Sequence, residues 1–477
     1  MNQATDLEFI ENTTYDELSI GQAATLTRTL TLDDIRAFAA VSGDTNPAHL
    51  DPAYANQTLF HGVIGHGMWG GSLISAVLGT QFPGPGTIYL HQDLDFTKPV
   101  RIGDTLRVTV TVSAKDDLKK RVELQCEVRN QHDEIVLRGL ARVLAPVSKV
   151  RRPKITAPQI RLFDRVERLN TLLAMADYLP ALRCAVVHPC EAESLLGALD
   201  AAKRNLIVPV LIGPIEKIRK SALSAGVSLD AVELIDVPHS HAAADRAAQM
   251  AAAGEVEILM KGSLHTDELI HAVLARKELA TGRRLSHVFR FDVPMYPKPL
   301  MVTDAALNIA PTLLEKVDIV RNAIDFAHIM GNPNPKVALL SAVETVTPAI
   351  PSTLDAAALC KMADRGQIRG AIVDGPLAFD NAISAHAAQV KQIVSPVAGD
   401  ADILVAPDLE SANMLAKQLE YMAGASGAGV VLGARVPIAL TSRADGPAVR
   451  MGSALLALLV AHHLRTDPLR QSQLRQG

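Results

Sequence analysis

Aromatic side chains and cysteines are scarce in this chain of 477 residues. Phe, Tyr and Trp make up 4% of the sequence although 48% of it is hydrophobic, so the core has to be packed from aliphatic side chains, a composition that suits α/β packing. The few cysteines show no Cys-x-x-Cys spacing, which excludes a disulfide framework and a cysteine zinc site; they are Cys126, Cys184, Cys190 and Cys360. Free thiols of this kind are typical of the reducing cytoplasm.

Long basic runs and long apolar runs are absent as well. Lys and Arg number 47 against 51 Asp and Glu, a net charge of −4, so nucleic acid is not expected as a partner. The most apolar run, Ala454 to Ala461, is too short to span a bilayer, and the N-terminal residues are polar and acidic, unlike a secretory signal. We therefore expect a cytoplasmic protein that needs no membrane. At this length, two or three domains are expected.

The first chemically informative stretch is FAAVSGDTNPAHLDPAYA, residues 38–55. A helix that begins after Thr31 should end near Ser42, because the Asn46-Pro47 step favours turn backbone. Asp44 and His49 are then expected on a stiff corner, where a carboxylate and an imidazole contact one water molecule from two sides. General acid–base hydration needs such a pair. The spacing alone leaves open the alternative of a capping or surface pair.

A buried helix is predicted from Gly67 onward, because small residues follow it at close intervals. Beyond it, alternating apolar residues predict four antiparallel strands at 88–96, 105–113, 121–128 and 135–145. One long helix followed by strands implies a sheet wrapped round that helix. The glycines around His66 are either ordinary turn residues or allow a helix amide to stabilise a developing negative oxygen, with the Gly67 amide as the candidate. The role of His66 stays open, and His61 and His91 are expected to be structural or on the surface.

Residues 38–55 resemble the signature of the (R)-specific enoyl-CoA hydratases of the MaoC-like family, and the resemblance extends over about the first 145 residues. It implies an α+β hot-dog fold, an antiparallel sheet round a central helix, in residues 1–147. It also implies that Asp44 and His49 are the catalytic dyad, which adds water to a trans-2-enoyl-CoA and gives the (R)-3-hydroxyacyl-CoA. A family helix that starts with His-Gly-Met supports the choice of Gly67.

A tether is predicted at residues 148–160, because the surrounding stretch is rich in proline and basic residues and has no amphipathic period. From residue 161 to 477, short apolar runs alternate with Ala-rich helices. Strand–helix pairs are predicted at 185–188 with 191–203, 208–213 with 214–225, 257–260 with 266–278, and 337–341 with helix residues inside 353–364. Such repetition predicts parallel sheets in two lobes, with ligands at the carboxyl ends of the strands.

Two loops of this second domain carry candidate phosphate-binding residues. The first follows a predicted strand and combines a charge, a glycine and two hydroxyls, in Lys261, Gly262, Ser263 and Thr266; it lacks P-loop spacing, and an ordinary capped turn is the alternative. The second is a predicted strand within 437–445 that presents Ser442 and Arg443 at its end. A guanidinium binds phosphate with a planar fork of donors, although an exposed arginine closing a strand is the alternative.

Together with residues 286–311, 341–359 and 374–384, these loops resemble the phosphate acetyl/butyryltransferase family over about residues 165–465. The resemblance implies acyl exchange between CoA and inorganic phosphate, with Ser442 and Arg443 holding the acyl phosphate. In well-studied acetyltransferases an Asp six residues beyond that Arg is the proposed base for the CoA thiol. Position 449 is Val in this chain, and Asp445 is a nearer candidate for the substrate site.

The resulting hypothesis is a bifunctional acyl-CoA enzyme, which uses CoA thioesters, acyl phosphate and phosphate as substrates and has no bound cofactor and no metal. By analogy with both families we expect a homo-oligomer. One alternative is a hydratase whose C-terminal domain only binds CoA or assembles the oligomer. The other is a non-catalytic CoA sensor. The pair His239 and His241 is not expected to bind metal, and residues 424–429 do not have the order of a dinucleotide-binding loop.

Overall fold

The computed structural model describes residues 8–155, 163, 165–442 and 445–466. The chain divides into two compact units, Met1–Leu162 and Phe163–Gly477.

The strands of the first unit are β1 (Phe9–Glu11), β2 (Ala23–Thr29), β3 (Ile88–Phe96), β4 (Thr105–Asp116), β5 (Arg121–Arg129), β6 (Ile135–Leu144) and β7 (Arg151–Pro153). Its α-helices are α1 (Leu32–Ser42), α2 (Pro47–Leu50), α3 (Pro52–Gln57) and α4 (Gly67–Thr80), and a 3₁₀ turn covers Tyr15–Glu17. Five of the strands form one antiparallel sheet in the order β2-β4-β5-β6-β3.

The apolar face of this sheet packs on α4. Alternate residues of β4 and β5 point inward and are buried with Leu73, Ile74 and Val77 of α4 in a single core. This arrangement confirms the predicted hot-dog fold. The four predicted strands and the start of α4 are confirmed within a few residues, whereas β2 was not predicted.

The short helices before α4 begin and end where the local sequence requires. Thr31 and Asp34 form a capping box at the start of α1, and the helix ends at Gly43, whose φ of 76° suits glycine.

Part of the predicted tether is regular structure, since β7 pairs antiparallel with β1 within the first unit. Residues 156–160 of that tether lie outside the described residues.

The second unit contains the strands β8 (Leu182–Val187), β9 (Ile207–Gly213), β10 (Glu233–Asp236), β11 (Ile258–Lys261), β12 (Ser286–Asp292), β13 (Leu300–Thr303), β14 (Lys336–Leu340), β15 (Ile372–Leu377), β16 (Ile403–Val405), β17 (Ser426–Leu432) and β18 (Ile438–Ala439). Its α-helices are α5 (Arg165–Leu173), α6 (Ala192–Lys203), α7 (Ile215–Ala225), α8 (Ser240–Ala252), α9 (Thr266–Leu274), α10 (Leu313–Ile329), α11 (Pro351–Asp364), α12 (Phe379–Ile383), α13 (Ala385–Val390), α14 (Leu409–Tyr421) and α15 (Pro447–Thr466). The 3₁₀ turns are Ala174–Ala176 and Lys277–Leu279.

These strands form one continuous sheet in the order β10-β9-β8-β11-β18-β17-β12-β13-β16-β14-β15. Most neighbours are parallel, as the β–loop–α repetition predicted, but β12 is antiparallel to both of its neighbours and β17 is antiparallel to β18. The sheet is therefore mixed, and the expected separate parallel sheets are joined. Consecutive residues of β8 belong to different cores, Cys184 and Val186 to one and Ala185 and Val187 to another, so helices cover both faces.

Helix α15 contains a long apolar segment. Within the described residues it alone is long and apolar enough to cross a membrane, and 61% of its apolar stretch is buried inside the protein. The helix has 20 residues and is longer than the apolar run Ala454 to Ala461, so its length does not exclude a membrane span. Its burial indicates a core helix instead, because residues 454–461 are packed in the hydrophobic core against the sheet.

Candidate functional site

The corner predicted around Asp44 is present in the first unit. Asp44 lies in the loop after α1, where its Oδ1 accepts the N–H of Asn46 at 3.2 Å. Asn46 caps the one-turn helix α2 by accepting the N–H of Ala48, and His49 lies in that helix. A carboxylate oxygen of Asp44 and one ring nitrogen each of His49 and His66 lie within 4.8 Å of one another. The structure thus brings the predicted pair together and adds a third member.

The two histidines are held by backbone carbonyls. His49 Nδ1 lies 2.9 Å from the carbonyl oxygen of Ile64, and His66 Nε2 lies 3.0 Å from the carbonyl oxygen of Asp44. The rings are 3.9 Å apart between centroids and tilted by 32°. Asp44 is exposed, His49 is half-buried, and His66 is 4% exposed. His66 therefore orients both members of the pair, a role that its position next to Gly67 did not reveal in the sequence.

A cavity of about 330 Å³ opens beside these side chains. Its polar end includes His49, His66 and Gly67, and the rest is mostly apolar, lined by Phe60, Ile64, Phe96, Val100, Leu106, Val128, Val136 and Leu137. Gly67 is the first residue of α4, so its N–H has no acceptor within the helix. A Cβ at this position would lie 2.9 Å from Phe96 Cε1, and only glycine fits without moving that ring. The cavity combines a base, an amide donor and an apolar chamber.

The first predicted phosphate loop of the second unit lies at the carboxyl end of β11. Lys261 is 6% exposed, and its Nζ lies 3.3 Å from the carbonyl oxygen of Thr441. Gly262 packs against β8, since a Cβ there would lie 2.3 Å from the carbonyl oxygen of Val187. The glycine thus serves close packing. Thr266 is half-buried at the first position of α9.

Ser263 has a different role from the predicted one. Its hydroxyl donates to the carbonyl oxygen of His188 at 2.8 Å and accepts the N–H of Cys190 at 3.0 Å. A hydroxyl has one hydrogen, so Ser263 has none left for a phosphate oxygen. It connects the loop after β11 to the loop after β8. Of the four residues predicted in this loop, the charge of Lys261 is the one placed to attract an anion.

The second predicted loop lies beside the first, because β11 and β18 are parallel neighbours. The predicted strand is shorter than expected: β18 ends at Ala439, and Ser442 lies in the loop that follows. The Ser442 N–H donates to Asp445 Oδ2 at 2.7 Å, and the Asp445 N–H donates back to the Ser442 carbonyl at 3.2 Å, so the two residues hold each other in place. Arg443 lies outside the described residues.

Asp445 is 6% exposed, and burial raises the pKa of its carboxyl. The nearby charges of Lys417 and Arg450 oppose that rise, and the charge of Glu420 adds to it. A buried carboxyl beside Ser442 whose pKa is raised holds its proton more tightly than an exposed aspartate does. Val449 is half-buried in the first turn of α15.

Arg450 lies in the first turn of α15 and contacts the loop around Ser442, a placement that was not predicted from the sequence. It is 6% exposed and donates from Nε to the Asp445 carbonyl, from Nη1 to Thr441 Oγ1 and from Nη2 to the Ser442 carbonyl, at 3.0–3.1 Å. Burial lowers the pKa of its guanidinium. One side chain therefore fixes the backbone on both sides of Ser442. A signal was available, because Arg450 is the single charged residue between Pro447 and Ala461.

Two families match the chain in separate regions. Residues 18–134 match the MaoC like domain, and residues 241–457 match the Phosphate acetyl/butaryl transferase family. The phosphate acetyltransferase of Rickettsia felis is 53% identical over 335 residues, which cover 70% of this chain and 94% of the relative. The phosphate butyryltransferase of Clostridium acetobutylicum is 40% identical over 282 residues, or 59% of this chain and 94% of the relative.

Solved structures match in the same two regions. A branched-chain phosphotransacylase from Enterococcus faecalis is 30% identical, with a TM-score of 0.52, and the match covers 59% of this chain and 99% of that one. The R-hydratase PhaJ1 from Pseudomonas aeruginosa is 45% identical, with a TM-score of 0.32, and the match covers 33% of this chain and 100% of that one.

Proposed function

Because the chain belongs to the phosphate acetyl/butyryltransferase family and carries a MaoC like domain ahead of that region, we propose that it is a bifunctional acyl-CoA enzyme. The first unit adds water to a trans-2-enoyl-CoA and releases the (R)-3-hydroxyacyl-CoA. The second unit exchanges an acyl group between CoA and inorganic phosphate. Both reactions use CoA thioesters, so the product of one unit belongs to the substrate class of the other.

Support for hydration comes from one observation, the hydrogen bond from His49 Nδ1 to the Ile64 carbonyl. A carbonyl oxygen only accepts, so Nδ1 carries the hydrogen and Nε2 of the neutral ring carries a lone pair. His49 is also part of the group of three side chains with Asp44 and His66. An oriented imidazole lone pair next to a carboxylate is what removing a proton from water requires.

The addition then proceeds in two halves. His49 and Asp44 orient a water molecule and take one of its protons while the oxygen forms a bond to C3 of the enoyl group. The electron pair of the double bond moves toward the thioester, whose oxygen gains negative charge that the Gly67 N–H stabilises at the start of α4. Return of the proton to C2 completes the product. The apolar lining of the cavity suits an acyl chain.

Acyl transfer is assigned to the edge where β11 and β18 end. The positive charge of Lys261 attracts phosphate beside Ser442, and Arg450 fixes the loop that carries the serine. A phosphate oxygen forms a bond to the thioester carbonyl carbon, the carbon–sulfur bond breaks, and the CoA thiolate takes up a proton. Asp445 is the buried acid closest in sequence to Ser442, and we assign it to that proton transfer in the place of the aspartate absent at position 449.

One assay tests both assignments on the whole chain. Crotonyl-CoA is supplied with and without phosphate; hydration is followed as loss of the double bond and acyl transfer as phosphate-dependent appearance of free thiol. Asp44→Asn and His49→Ala are each expected to lower hydration about 10²–10⁴-fold, the usual contribution of a general acid or base, and to leave thiol release unchanged. His91→Ala, an exposed histidine on β3, is the matched control.

Two outcomes oppose the proposal. Hydration that persists in both variants would contradict the assignment of Asp44 and His49 as the catalytic pair. Absence of phosphate-dependent thiol release with crotonyl-CoA, butyryl-CoA and acetyl-CoA would reduce the second unit to a binding module.

A further inference from the structure

The tautomers of two neighbouring histidines are fixed by the backbone. His49 donates from Nδ1 to the Ile64 carbonyl, and His66 donates from Nε2 to the Asp44 carbonyl. In the neutral rings the lone pairs are therefore on His49 Nε2 and His66 Nδ1. His66 is 4% exposed, and its Nδ1 has no hydrogen-bond partner among the residues that the structure describes. A buried ring nitrogen without a partner is costly, which indicates that something else occupies its lone pair.

A water molecule does not satisfy this group completely. One ring nitrogen of each histidine and a carboxylate oxygen of Asp44 lie within 4.8 Å of one another. Each neutral histidine has one acceptor nitrogen, so the three side chains together present three acceptor groups. Water has two hydrogens and donates to two of them at most. A cation accepts electron pairs from all three. Three ligands about 2.1 Å from one ion lie roughly 3.0–3.5 Å apart, so side-chain rotations that bring the three atoms to this spacing close the site.

We propose that Asp44, His49 and His66 form a binding site for a divalent transition-metal ion. Two imidazole nitrogens and one carboxylate suit Zn²⁺, Co²⁺ or Ni²⁺ better than Mg²⁺ or Ca²⁺, which prefer oxygen ligands. The hydrogen bonds to the carbonyls of Ile64 and Asp44 are the kind of outer contacts that fix metal-binding histidines. The ion takes the position of the attacking water and the lone pair of His49. If the first unit hydrates enoyl-CoA as proposed above, the bound metal ion inhibits that hydration reversibly.

The test measures binding apart from activity. The full chain, freed of metal with a chelator, is titrated with Zn²⁺ by calorimetry and with Co²⁺ by its visible absorption. The native chain is expected to bind one ion that His66→Gln, His66→Phe and Asp44→Asn each weaken at least about tenfold, since even outer-contact mutations cost that much. Gln at position 66 still donates to the Asp44 carbonyl, and Asp44 is exposed, so at least two variants retain the fold. His91→Ala is expected to bind like the native chain.

Zn²⁺ is also expected to lower crotonyl-CoA hydration by the native chain in proportion to occupancy of this site, with recovery on addition of EDTA. Equal Zn²⁺ binding by the native chain and all three variants would overturn the proposal. Hydration that continues at saturating Zn²⁺ would do the same. If the ion binds as described but the metal-free chain does not hydrate crotonyl-CoA, the metal site stands and the proposed hydratase function fails.

Discussion

Replacement of Gly67 by Ala keeps the backbone N–H and tests whether the cavity wall beside this amide donor tolerates an added methyl group. The new Cβ would lie 2.9 Å from Phe96 Cε1 and 3.1 Å from Cδ1, so the ring has to move. Phe96 is 53% exposed and lines the cavity, which means that the ring moves at small cost but takes the cavity wall with it. A displacement of reacting groups near 1 Å costs about 10²-fold in rate, or roughly 2.7 kcal/mol.

We therefore expect Gly67→Ala to lower kcat/KM for crotonyl-CoA hydration about 10²-fold, with a change in unfolding free energy within about 1 kcal/mol, because alanine favours the helix while the ring shift opposes it. Two alanine variants of the same helix are controls. Gly79→Ala is the control outside the cavity, since a Cβ there would meet nothing within 4 Å. Gly70→Ala adds a methyl group to the cavity lining without displacing Phe96, because the Cβ would meet Leu137 at an ordinary 3.6 Å.

Steady-state hydration kinetics and thermal melting of the three variants decide the question. Gly79→Ala should keep the native rate and gain about 0.5–1 kcal/mol of stability. Native-like hydration by Gly67→Ala would refute the reasoning, because it would mean that displacing the wall beside Phe96 does not affect the reacting groups.

Arg450→Met removes all three donors around Ser442 and is expected to lower phosphate-dependent thiol release at least about tenfold while hydration stays unchanged. Arg450→Lys is expected to recover part of the thiol release. Equal loss of both activities would instead indicate general unfolding. Burial lowers the pKa of the His287 side chain from 6.5 to about 3 in the folded protein. On acidification the unfolded chain therefore takes up a proton at this histidine before the folded chain does, and stability falls as the pH drops from about 6.5 toward 3. His287→Leu is expected to abolish about 2 kcal/mol of the loss between pH 7 and pH 5, seen as a smaller drop in melting temperature; parallel pH profiles would contradict this.

Much of the fold could be predicted because single helices and strands depend on the spacing of apolar residues within a short stretch of sequence. Alternation over residues 121–128 is sufficient for a half-buried strand, and the start of α4 follows from glycines before an apolar run. Strand β2 was missed because Ala23–Thr29 is mostly polar and exposed on the face away from α4, so its pairing with β4 supplies what its own pattern does not. Strand β12 is antiparallel to β13, which follows it closely in the chain, and to β17, which lies more than a hundred residues away; no local pattern encodes the pairing with β17.

The candidate sites divide in the same way. Asp44 and His49 were predicted because the chain places them on one corner, five residues apart. His66 joins them only through the hydrogen bond to the Asp44 carbonyl, 22 residues back along the chain. Ser263 illustrates the opposite error: its residue type suited phosphate, but its hydroxyl is already used by the loop after β8. Residue type predicts which groups are available, and only tertiary hydrogen bonds decide which of them remain so.

Both candidate sites lie at, or just before, the start of a helix that has a fully buried apolar segment. Gly67 begins α4, whose residues Ile74 and Val77 are fully buried, and Ser442 precedes α15, whose residues 454–458 are fully buried. A buried helix is held on all sides, so the groups at its first turn cannot shift to follow a substrate. This rigidity favours donors set in advance for the charge of a transition state. It also explains why a methyl group at Gly67 and a lost guanidinium at position 450 are expected to affect rate more than stability.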